Sequence, residues 1–145
     1  MRVMACALSL IFAQLSVAAP MPLPRPAKAP VTVAHLLPRD LTGDWVLTWG
    51  GSEWRVSLST YGDYIATSKG GSTWTGSWFM DGSGSLYISE ALLDENGMRG
   101  GESRWSVIWE RGKHGRFDTR SLSGAVVRPD GTVSVTIALR RPPRK

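Results

Sequence analysis

Trp45-Val-Leu-Thr-Trp49, Trp74-Thr-Gly-Ser-Trp78 and Trp105-Ser-Val-Ile-Trp109 repeat one spacing, a tryptophan at i and at i+4. Side chains alternate faces along a β-strand, so these two positions share a face. Each copy sets two indoles on one side of one strand. Trp54 opens a further strand of the same kind, which accounts for all seven tryptophans. Strands that carry the same large apolar cargo require one common interior.

The neighbouring stretches supply the remaining strands. Gly50-Gly51 is a two-residue hairpin signal between strands at 41–49 and 52–59. Gly62-Asp63 turns the chain into a short strand at 64–68, and Gly70-Gly71 leads to 73–80. Asp81-Gly-Ser-Gly84 precedes a strand at 85–90 that faces Leu86 and Ile88 inward. The longest loop is expected at 91–101, where 91–95 has room for one helical turn. Strands follow at 102–110, at 116–128 with a bulge near Gly124, and, after Pro129-Asp130-Gly131, at 132–140. Eight short half-buried strands joined by tight turns predict an all-β chain, an eight-stranded antiparallel up-and-down β-barrel. Closure removes the exposed edges that such a series otherwise leaves. A β-sandwich is the second choice of architecture.

Residues 1–19 read as a secretory signal peptide: Arg2, an apolar run, and the small-residue site Val17-Ala18-Ala19. The run is too short, and too interrupted by Gln14 and Ser16, for a transmembrane helix, so no membrane span is expected after cleavage. A secreted or periplasmic location follows. Cys6, the only cysteine, goes with the signal, and the exported fold has no disulfide or cysteine metal site to rely on. Residues 20–39 form a linker rich in proline (Pro20, Pro22, Pro24, Pro26, Pro30 and Pro38), with polyproline character. Its end, 31–38, is apolar enough to dock on the barrel at 40–140. The formal charge of +5 suggests nucleic acid until it is located. Between residues 41 and 139 eleven acidic residues outnumber nine basic ones, and the excess lies at the ends, including the tail 141–145. No nucleic-acid groove is expected.

No catalytic constellation emerges. His35 and His114 have no partner in the sequence, and Ser83 is not in a nucleophile elbow. Asp81-Gly-Ser83-Gly-Ser85 imitates the start of a calcium loop, but Leu86 stands where glycine is required. Glu53 and Glu102 point away from the tryptophan face by parity, and with Glu110 they read as solvated charges. The protein is therefore expected not to be an enzyme and to use no cofactor or metal.

Strand direction assigns the indoles to two ends. If the first strand runs upward, Trp49, Trp54, Trp74 and Trp105 fall at the top, and Trp45, Trp78 and Trp109 at the bottom. An eight-stranded barrel is just wide enough to be filled by side chains or to hold one small ligand. The lower indoles are expected to pack. The upper four are expected to line a mouth for a small apolar or aromatic molecule or a sugar ring.

Gly43-Asp44-Trp45 resembles the Gly-x-Trp of lipocalins. That resemblance implies a Trp45 packed at the closed end and covered by a basic residue of a late strand, here Arg140 or Arg141. The Thr-Asp-Tyr motif of lipocalins is absent, and the strands are shorter than theirs. Trp105-Ser-Val-Ile-Trp109 resembles the Trp-rich fifth strand of avidins, without their polar biotin-contacting positions. Leu41-Thr-Gly-Asp-Trp-Val-Leu47 is similar to small bacterial periplasmic inhibitors of secreted metalloproteases. Those are also eight-stranded barrels behind a signal peptide, and they plug the protease cleft with an N-terminal segment. They contain a disulfide that this chain cannot form. The expected function is thus a lipocalin-like binding barrel. The alternatives are a protease inhibitor acting through 31–38 and a structural envelope module with a filled core.

Overall fold

The alternating residues and glycine turns do fold as strands, and eight of them close on themselves. The structure, a computed structural model, describes residues 31–143. The expected signal peptide, the linker up to residue 30 and the last two residues lie outside the described residues. A two-residue strand β1 (Thr32–Val33) and one helical turn α1 (Pro38–Leu41) come first. They are followed by β2 (Gly43–Trp49), β3 (Ser52–Leu58), β4 (Asp63–Ser68), β5 (Thr73–Met80) and β6 (Leu86–Leu93). The chain ends with β7 (Arg99–Trp109), β8 (Phe117–Asp118), β9 (Ser121–Val127) and β10 (Val133–Arg140). The closed barrel has the order β10-β2-β3-β4-β5-β6-β7-β9, every pair antiparallel. Among the described residues no helix is long and apolar enough to cross a membrane.

Three stretches depart from the sequence expectation. Residues 91–101 are not a loop, and 91–95 form no helical turn. β6 continues to Leu93 and β7 starts at Arg99, with a register shift between Ala91 and Leu92. Gly101, at φ +59°, takes up the irregularity, so the ladder resumes beyond it. Only a tight turn remains, held by Asp94, whose carboxylate accepts from the amides of Asn96 and Met98. The expected strand 116–128 is two strands, because the chain turns at Thr119–Arg120, where the Arg120 amide donates to the Asp118 side chain. The irregularity in the last hairpin sits on β10, between Val133 and Val135, and not at Gly124. Gly124 serves close packing instead: a Cβ there would stand 2.9 Å from the Trp109 ring and 2.6 Å from Val107.

The bottom of the barrel is sealed. Leu41 ends α1 fully buried, and Trp45 beside it is 1% exposed and donates from Nε1 to the Leu41 carbonyl (2.6 Å). Arg141 covers that indole, its guanidinium 3.6 Å from the ring centroid. It also donates to the carbonyls of Asp40 (2.8 Å), Thr42 (2.9 Å) and Asp44 (3.3 Å). The neighbouring Arg140 pairs with Glu53 on the outside. The apolar leader docks here too. β1 pairs with β8, Arg116 holds Thr32, Arg111 holds the Ala34 carbonyl, and Leu36 enters the core. This end is closed by side chains from five segments.

Candidate functional site

The inward positions sort by height. Trp45, Trp78 and Trp109 are buried in the lower core, as their place on the strands requires. Trp49, Trp54 and Trp74 are half-buried and pack on the upper margin of that core. Trp105, expected with them at the rim, is buried instead. Its strand begins three residues earlier than the sequence suggested, which moves Trp105 down the barrel. It pairs with Ile88, which in turn pairs with Trp78, so it shares a row with a lower indole. Trp105 thus sits in the core, and the other three lie above it at the upper end of the barrel.

Beside and below Trp105 the interior is closely packed. The interior void, bounded by Trp105, Tyr64, Ile88 and Leu47 among others, measures about 10 Å³. That is at most the space of a single water molecule.

Trp105 is surrounded by aromatic rings and has one polar partner. Trp105 makes edge-to-face contacts with Trp49 (centroids 4.9 Å apart) and with Tyr64 (6.4 Å). Its Nε1 donates to Glu90 Oε1 at 2.9 Å. Register explains how the carboxylate arrives there. Tyr64 pairs with Gly76, Gly76 with Glu90, and Glu90 with Ser103, so these four form one inward row across four strands. Gly76 leaves that row without a side chain between Tyr64 and Glu90, and the phenol interacts with the carboxylate across it. Any Cβ at Gly76 would strike the Ser89 carbonyl, because β5 and β6 run close together there.

Burial shifts both titratable groups. Desolvation raises the Glu90 carboxyl above its ordinary value, and the hydrogen bonds from Trp105 and Tyr64 only partly offset it. Burial, with the Glu90 charge added, pushes the Tyr64 phenol far above its normal range, so it stays a donor. Neither residue stood out in the sequence. The signal was available, since Glu90 continues the inward parity of Leu86 and Ile88, and a carboxylate on that face is anomalous.

A second concavity lies outside the barrel. It measures about 440 Å³ and opens over the outer faces of β5, β6 and β7, where the chain leaves β9 at Arg128-Pro129. Phe79 and Tyr87 stack there, with centroids 4.8 Å apart, beside Arg104 and Ser106. It is the larger of the two, but apart from Ile88 and Trp105 its lining is the solvent-facing side of strands, and it lacks the enclosure that usually holds a small molecule.

The remaining candidates of the sequence lie apart from this cluster. The Asp81 carboxylate is taken up by the amides of Ser83 and Ser85 and the hydroxyls of Ser83 and Tyr87, which makes it the core of a turn. Glu53, Glu102 and Glu110 are exposed, and His114 lies in an exposed turn at φ 61°. No group of three or more metal-ligating side chains occurs among the described residues. No family model, curated protein or solved structure matches the chain.

Proposed function

We propose that this protein is a non-enzymatic, exported binding barrel that takes a small apolar or aromatic molecule, or a sugar ring, at its upper mouth. The observation that carries the reading is the unequal burial of the indoles. Three tryptophans keep part of their surface in water at one end of a barrel sealed at the other. Indole surface left wet around a concave opening is the usual lining of a site for flat apolar ligands and sugar faces. The covered Trp45 under Arg141 adds to the resemblance with lipocalins and supports a common plan of closed base and open mouth. A protease-inhibitory leader draws less support, because segment 31–38 is engaged by Arg111, Arg116 and β8 of its own chain.

Tryptophan fluorescence tests the proposal. Small aromatic compounds or soluble glycans should shift or quench the emission saturably, and Trp74→Ala should weaken the effect. Phe79→Ala, on the outer hollow, should leave it intact. If Phe79→Ala abolishes the response and Trp74→Ala does not, the ligand site is the outer hollow. If acrylamide reaches none of the indoles, the barrel is filled and the mouth reading is wrong.

A further inference from the structure

Glu90 is an unusual residue for the wall of an apolar site. It points inward, its carboxylate is largely withdrawn from water, and one oxygen is already engaged by Trp105. From β4 it is faced by Tyr64, from β5 by Gly76, and from β7 by Ser103 and Trp105. The phenol is the only other titratable group among them, and it carries no charge to offset the carboxylate. Among the described residues no arginine, lysine or histidine forms a salt bridge with Glu90. A carboxylate in such a place disfavours its own ionised form, and a bound positive charge would reverse that.

The surroundings suit a particular kind of cation. Trp105 stands at near right angles to Trp49 and to Tyr64, at 87° and 83°, and the half-buried Trp74 and Trp54 pack on the same core above them. Aromatic faces around a carboxylate attract ammonium groups twice, through the ring quadrupoles and through the charge. They do so most for alkylated ammonium ions, which lose little hydration on entering. A small carbohydrate would use the rings but not the charge.

We infer that the ligand of the upper mouth is a small organic cation, an alkyl- or arylammonium compound whose nitrogen sits against Glu90 with its apolar part against the rim indoles. This rests on the mouth being the binding site, and it adds the chemical class. The interior void under Trp105 is too small to take the cation deeper, so its nitrogen stays at the level of the Tyr64–Glu90–Ser103 row.

The test uses the full mature chain and two probes of nearly equal shape, phenyltrimethylammonium and the neutral tert-butylbenzene. Affinities are measured by calorimetry or tryptophan fluorescence at pH 8. The cation should bind at least about tenfold more tightly than the neutral isostere, a difference of about 1.4 kcal/mol. Glu90→Gln should bring the two affinities within about twofold. In the unmodified protein the preference should also shrink as pH falls from 8 to 4 and the carboxylate takes up its proton, a readout that does not depend on the variant folding. If both probes bind equally, or if the preference survives both Glu90→Gln and low pH, the inference is overturned and the mouth remains a site for neutral ligands. If neither probe binds, the inference is overturned as well, and the mouth reading is then decided by the glycan and acrylamide measurements.

Discussion

Arg141→Met removes the cover of the closed end while keeping most of the side chain's apolar stem. The guanidinium makes three contacts that methionine cannot, to the carbonyls of Asp40, Thr42 and Asp44, and it lies 3.6 Å from the centroid of Trp45. A hydrogen bond from a charged donor contributes roughly 1.5–3 kcal/mol net when well made. The 3.3 Å bond to Asp44 is long, and water can replace part of what is lost at a half-exposed site, so the three together are worth about 2–3 kcal/mol. Stacking of a cation on an indole adds ~0.5–2 kcal/mol. The expected loss is therefore about 3–4 kcal/mol, or a Tm lower by roughly 10–15 °C for a domain of this size. Arg140→Met is the matched control. Its partner Glu53 is 2.7 Å away, but the two side chains are 50% and 60% exposed, so that pair is worth ~0–1 kcal/mol. Urea denaturation of both variants, with m-values compared, measures the difference. If Arg141→Met costs no more than Arg140→Met, the closed end is not held by this residue and the parallel with lipocalins loses its structural basis.

Trp45→Ala should cost ~3–5 kcal/mol in the same assay, the usual loss for a buried large aromatic, and a change below about 1 kcal/mol would mean the indole is not packed. Leu36→Ala should cost ~2 kcal/mol although it lies in the leader, because its side chain is in the core; deletion of 29–38 should then destabilise the barrel measurably by thermal melt, and an unchanged Tm would show the leader undocked. Glu90 gives a pH signature. Its carboxyl is raised in the folded state, so the native protein holds that proton more tightly than the unfolded chain does. The stabilisation from this proton is full below the unfolded value of about 4.5 and is lost as pH rises through the folded value. Wild type should therefore lose stability relative to Glu90→Gln between pH 4 and 8, and a relative gain over that range would contradict the burial of the carboxylate.

Periodicity made the barrel legible before any coordinates. Five of its strands lie within two residues of where alternation and the glycine turns put them, because an amphipathic strand writes its burial into every second residue. The parts that stayed hidden depend on non-local geometry. Nothing local in Ala91-Leu92 or Gly100-Gly101 announces a bulged ladder, since two glycines before a polar run read equally well as a loop. Pairing of Thr32–Val33 with Phe117–Asp118 joins residues more than eighty positions apart, and a two-residue strand has no period to detect. Gly124 carries a similar lesson. A glycine in a strand signals either a bulge or a close approach, and only the position of the Trp109 ring decides for the latter.

What an indole is for, in this molecule, depends on where its N–H goes. Trp45 donates to the Leu41 carbonyl and Trp78 to the Ser59 carbonyl, so each ties a lower strand to the backbone of its own end. Trp109 Nε1 is the one buried side-chain polar atom without a partner among the described residues, set against Gly124, where packing takes precedence over its hydrogen bond. Trp105 differs from all three. It donates to a side chain, and that side chain is an acid set between Trp105 and Tyr64. A backbone carbonyl would have satisfied the N–H without the burden of a desolvated charge, as it does twice at the closed end. Keeping an acid there lowers the stability of the empty barrel at neutral pH, and a fold maintained only for its core has no use for that loss. An acid kept there at that cost fits the proposed organic cation, whose charge would offset it.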